Sequence, residues 1–203
     1  MRTTSRRLTF VAALVAIAAA WTVDSAAHSG PRTWPRGVVR YYDETGMDRT
    51  VATAVAQWNT SGAHVHLIPV KSERAAQLVL RVDDKRLLKT CGSDCLGFSS
   101  DIGMPSGGRP GEVLLSGGLS DIARPLSVWV AAHELGHVLG LKHRNGKECS
   151  LMSAHAFDTR CPPSLDGEPA TAEQLRCVPA PTDVEAAVKL YGGAPARVDR
   201  ACR

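Results

Sequence analysis

The spacing of apolar residues changes several times along this chain, and each change marks an element. Gly37 to Tyr42 (GVVRYY) is β-branched and aromatic and predicts a first strand. From Asp48, which can cap a helix, Val51, Ala54, Val55 and Trp58 recur at i, i+3, i+4 and i+7. That stripe predicts a helix to about Asn59, ended by Gly62. His64 to Val70 (HVHLIPV) predicts a second strand, with Val65 on one face and His64 and His66 on the other. The two histidines are read as solvent-facing rather than as a metal pair. In Ala76 to Val82 (AQLVLRV), Leu78, Leu80 and Val82 alternate with Gln77, Val79 and Arg81, which predicts a third strand with one face in the core. A crossover helix between the first two strands makes them parallel. Asp83 to Arg86 reads as a polar exit.

Cys91 to Gly111 holds six glycines between Gly92 and Gly111, with Pro105 and Pro110, so only a short strand near Gly97 to Ser100 is expected there. Glu112 to Ser116 (EVLLS) predicts a last strand. Pro125 to Leu139 predicts a helix that Val128, Ala131, Ala132, Leu135 and Leu139 would bury. Prolines break up the segment from Ser153 to Pro181. A final helix opens at Thr182, with Glu185 three residues on as a capping box, and Val184, Ala187, Val188 and Tyr191 as its stripe; Gly192-Gly193 ends it. The order is that of an α+β chain with one core and no repeat or linker.

The N-terminus adds a targeting segment. Arg2, Arg6 and Arg7 precede an apolar run from Leu8 to Ala20, and Ser25-Ala26-Ala27 offers small residues for cleavage before His28. Residues 1–27 are therefore read as a signal peptide and 28–203 as one domain. An uncleaved anchor is the alternative, but the run reaches only Val23, short of the ~20 residues that span a bilayer. Arg6-Arg7 leaves Sec and twin-arginine export both open. Net charge is +4, or +2 once the segment is removed, too little to suggest a nucleic-acid partner. Six cysteines, all beyond the segment, read as three disulfides in an exported chain, with fifteen pairings possible. Cysteine metal ligands are the rival, since CxxxC can hold zinc.

The chemistry is concentrated between His133 and His143 (HELGHVLGLKH). Histidines four apart on a helix share a face, so both imidazoles reach one ion. Gly140 can adopt the backbone angles that stop the helix and let the chain bring back His143 as a third ligand. Three imidazoles on Zn²⁺ leave a fourth position for water, and Glu134 stands where it can take that water's proton. The rival reading is a buried helix with satisfied core histidines, at the cost of burying three polar rings and a carboxyl without a task.

This stretch resembles the zinc signature of the metzincin metallopeptidases, HExxHxxGxxH. Ser150-Leu151-Met152-Ser153 resembles their Met-turn, and PTDVEAAVKLYG resembles the C-terminal helix of the matrixins. Snapalysins usually place an aspartate where His143 stands, so there the chain is more similar to the matrixins. The resemblance implies a single metzincin-like catalytic domain with a mixed twisted sheet, an active-site helix and a C-terminal helix. It implies His133, His137 and His143 as zinc ligands, Glu134 as catalytic base and Met152 as packing beneath the metal. It implies a secreted, monomeric zinc endopeptidase that takes protein or peptide substrates as an extended strand along the Glu112–Ser116 strand, the sheet edge above the cleft. His155 and Phe157 would line the pocket beyond the cleaved bond. Calcium in the loops around Asp94 and Asp101 is a further expectation; a second, structural zinc is not expected, since no histidine lies between Leu67 and Ala132. Cys149 and Cys161 flank the Met-turn as a pair does in snapalysin-like enzymes, which implies that bridge; Cys91 with Cys95 would then close a short loop and Cys177 with Cys202 would pin the tail. No stable membrane insertion is expected after cleavage. The alternative function is an exported zinc-binding protein without proteolytic activity.

Overall fold

A computed structural model describes residues 31–121, 124–144, 150–154 and 178–196. The signal segment, the two disulfides through Cys149 and Cys177, and the His155 and Phe157 expectations lie outside them. Among the described residues, no helix is long and apolar enough to cross a membrane.

The sheet has five strands: β1 (Val38–Asp43), β2 (His66–Pro69), β3 (Leu78–Val82), β4 (Gly97–Ser99) and β5 (Gly111–Leu115), in the order β2-β1-β3-β5-β4. The first four in that order run parallel, and β4 pairs antiparallel with β5. The crossover between β1 and β2 is α1 (Asp48–Asn59), as the pattern predicts. Its stripe of Val51, Ala54, Val55 and Trp58 is buried, together with Val39, Leu67, Leu78, Leu80, Val113 and Leu115 from one face of the sheet. Asn59 fastens the helix end to β2 by bonds to both the N–H and the C=O of Leu67, at 2.8 and 3.0 Å.

The third helix, α3 (Arg124–Val138), packs against α1, β4 and β5. Every residue from 127 to 141 is buried, so α3 is apolar nearly all round, as a core helix must be. Its final carbonyls, which have no intrahelical partner, are met by side chains from both ends of the chain. The Trp34 indole donates to Val138 O at 2.7 Å, and the Tyr191 hydroxyl to Leu139 O at 3.0 Å. Burial pushes the Tyr191 hydroxyl up to about 12, so it stays a donor. The last helix is α4 (Pro181–Tyr191).

Five expectations need correction. Glu112 to Ser116 is not the sheet edge: β5 lies between β3 and β4, and the edge on that side of the sheet is β4. A strand as apolar as Val113-Leu114-Leu115 is buried on both faces, which suits an interior position. Asp83 to Arg86 is no mere exit: Asp83 accepts from Arg86 N at 3.0 Å and caps α2 (Asp84–Cys91). That helix buries only Leu87 and packs on β4 and β5, so its stripe is too thin to read. Val82 faces solvent, while Val79 is buried instead. Asp48 lies inside α1, and Met47 holds the cap position. Thr182 lies inside α4, whose start is set by Pro181 and by Asp183 accepting from Ala180 N.

Candidate metal centre

Helix α3 carries the first two histidines one turn apart, and its end is made by Gly140. That residue has φ +94°, and Gly140 N and Leu141 N bond back to His137 O and Gly136 O at 2.8 and 3.0 Å. This left-handed cap turns the chain so that His143 faces its partners. His133 Nε2 lies 3.2 Å from His143 Nε2, and His137 Nε2 lies 3.0 Å from it. One ligand atom from each ring falls within 4.8 Å of the others.

The residues fit a zinc ion. Two nitrogens each 2.0–2.1 Å from a tetrahedral ion stand about 3.3 Å apart, close to the spacings seen. The ring nitrogens facing away are also fixed. His133 Nδ1 bonds Leu151 O at 2.6 Å, and His137 Nδ1 bonds Leu141 O at 2.8 Å. A carbonyl only accepts, so each Nδ1 donates and each Nε2 lone pair is left for the shared point. Burial, then the charge that His137 would carry, pushes His133 down to about 3; burial also lowers His137. Both rings therefore stay unprotonated at neutral pH, the form a metal needs. His143 is exposed, which leaves the point open on one side.

Glu134 points toward β4. A Cβ on Gly97 would lie 2.7 Å from its Oε1, so only glycine lets the edge strand come this close. Burial pushes the Glu134 carboxyl up to about 8, opposed in part by the Ser99 backbone N–H.

Beneath the triad, Met152 is fully buried, and its Sδ would lie 2.4 Å from a Cβ on Gly136. Gly136→Ala should therefore destabilise the domain by about 1–3 kcal/mol through overpacking, against a helix-propensity gain of about 1 kcal/mol. Urea unfolding that shows a net gain would place Met152 elsewhere. The Met-turn itself hangs on Asp183. That carboxylate accepts from Ser150 Oγ at 2.6 Å, Leu151 N at 2.7 Å and Ala180 N at 3.2 Å, and it is fully buried. Ser150 Oγ in turn accepts from Met152 N at 3.1 Å, and Arg144 N donates to Met152 O at 2.8 Å. Leu151 O, the acceptor for His133, is thus held from the C-terminal helix.

The signature names His133, Glu134, His137 and His143; the structure brings the three histidines together and sets the Glu134 carboxyl against Gly97 of β4. Asp183, Gly97 and Gly136 carry weaker signals. A glycine in the middle of a helix costs about 1 kcal/mol relative to alanine, so Gly136 marks a close approach. An aspartate four residues from the buried Ala187 marks a buried acceptor. Asp101 accepts from Ser100 and Arg109, and Asp94 from Ser93. Cys91 and Cys95 do form a disulfide, ahead of β4.

The sequence pattern of one family, dual-action HEIGH metallo-peptidase, matches residues 39–151, more than half of the chain and all four of these residues. The chain belongs to that family. Where the family's name spells isoleucine, this member has Leu135, fully buried. Two structures of myroilysin are similar to it at 16 % and 18 % identity. They match 55 % of this chain and 52 % and 46 % of theirs, each with a TM-score of 0.38. The chain thus spans about half the length of those relatives. Among curated proteins, none matches.

Proposed function

We propose that this protein is a secreted, monomeric, zinc-dependent endopeptidase. The observation that carries the reading is the convergence of three Nε2 atoms on one point, with two of the rings locked by backbone carbonyls. Family membership supports it. Zn²⁺ held by His133, His137 and His143 would supply a Lewis acid and lower the pKa of water toward ~7.

The chain's own groups do the rest. Glu134 takes the proton of the attacking water and returns it to the leaving amine, so no nucleophilic side chain is needed. An extended peptide adds to the free edge of β4, beside Glu134, and backbone pairing holds the scissile bond in register. The substrate edge is therefore β4 rather than the Glu112–Ser116 strand. Signal-directed export follows from residues 1–27 and fits the Cys91–Cys95 bridge.

Digestion of casein tests this reading. Cleavage should stop when a zinc chelator strips the metal and return when Zn²⁺ is restored. Zinc uptake without cleavage of casein or of a peptide library would leave a zinc-binding protein and no peptidase.

A further inference from the structure

Trp129 stands one helical turn before the first histidine of the triad. Its side chain is 5 % exposed. Its ring lies 5.3 Å from that of His133, centroid to centroid, with the planes inclined by only 21°. The i, i+4 spacing on α3 makes this contact, since side chains four apart lie over one another.

Besides His143, whose ring centroid lies 5.2 Å away, three neighbours restrain the His133 ring. Leu151 O binds Nδ1 at 2.6 Å. The His137 ring meets it edge-on, at 4.7 Å and 90°. Trp129 covers it flat. The bond to Leu151 O fixes where Nδ1 points but lets the ring rock about the Nδ1···O line. Rocking carries Nε2 away from the point it shares with the other two rings. A flat indole opposes it, because the face contact must open for the ring to turn. The electron-rich indole face also favours an imidazole from which a bound cation withdraws charge.

We propose that Trp129 is a positioning residue for the metal centre: its indole clamps His133 in the plane that aims Nε2 at the triad's common point, and so raises the affinity for a divalent ion. The inference rests on the reading of the triad as a zinc site. Its substrate is the metal alone, so it does not depend on proteolysis.

The test uses the full chain as wild type, Trp129→Phe and Trp129→Leu. Zinc affinity is read by competition with a chromophoric chelator, and metal-free melting temperature beside it. Both variants lose packing volume, so both should melt lower. Only the leucine variant loses the flat ring. Its zinc affinity should fall about tenfold, the scale seen when a group supporting a ligand is removed, while phenylalanine keeps affinity within about threefold of wild type. Cobalt(II) in place of zinc gives a visible band that reports ligand geometry. That band should change in the leucine variant and not in the phenylalanine one. If the leucine chain does not fold, Trp129→Met replaces it with the same expectations. Wild-type affinity in the variant without a ring, or an equal loss in Trp129→Phe, would overturn the clamp and leave Trp129 as core packing. A wild type that takes up no zinc would instead sink the metal-site reading, and the clamp with it.

Discussion

Glu134→Gln is expected to bind zinc as the wild type does and to lower kcat by about 10²–10⁴-fold, the range for a positioned proton carrier. Glutamine matches glutamate in size, so the contacts with Gly97 and β4 persist, and the three imidazoles are untouched. What disappears is the ability to take and return a proton. Steady-state cleavage of a peptide substrate, with metal content measured on the same sample, checks both halves. Cleavage at the wild-type rate would remove Glu134 from the mechanism.

The same substitution has a second signature in the metal-free protein. Burial raises the Glu134 carboxyl from its ordinary 4.5 to about 8. Between those values the folded chain keeps a proton that the unfolded chain has released. Stability from this group is therefore fully present below about pH 4.5 and declines as pH rises toward 8. Glutamine carries no such proton and shows no such decline. Metal-free Glu134→Gln should melt above the metal-free wild type at pH 8, and the gap should close as pH falls toward 4.5. A gap that does not vary with pH would mean that the carboxyl is not held in a dry setting.

The second large effect is expected at Asp183. Asp183→Ala leaves the backbone N–H groups of Leu151 and Ala180 without their acceptor and releases Ser150 from it. Two buried donors without partners cost about 1–3 kcal/mol each, so a loss of about 3–5 kcal/mol is expected, a large part of a small domain's stability. Asp183→Asn should be far milder. Leu151 N and Ala180 N both use Oδ2, so one amide oxygen can keep them while the amide nitrogen turns toward Ser150 Oγ. Denaturant unfolding of the two variants distinguishes these costs. Equal losses would show that the charge of Asp183, rather than its acceptor geometry, holds the turn.

The parts of this protein legible in its sequence are those where one local pattern decides. The stripe Val51, Ala54, Val55, Trp58 gives α1 to the residue at its C-terminal end, and the alternation around Val65 gives the buried face near β2. The spacing His133, His137, His143 gives the triad, because helix geometry and one glycine leave those rings little choice. Elements set by distant partners were not legible. Helix α2 is held by a cap and a single buried leucine, so its polar sequence reads as loop. The edge was misassigned because sheet order depends on pairing between residues far apart, and the chain returns from β4 to slip β5 inside it. Asp183 is only faintly legible as part of the site, since its partners Ser150 and Leu151 lie 33 and 32 residues earlier.

That separation has a consequence for the order in which the molecule is completed. During synthesis the histidines and Glu134 leave the ribosome well before Asp183 does. Until α4 has emerged and docked, Leu151 lacks the anchor that steadies its carbonyl against His133. A nascent chain therefore carries its whole zinc signature before the anchor of Leu151 exists.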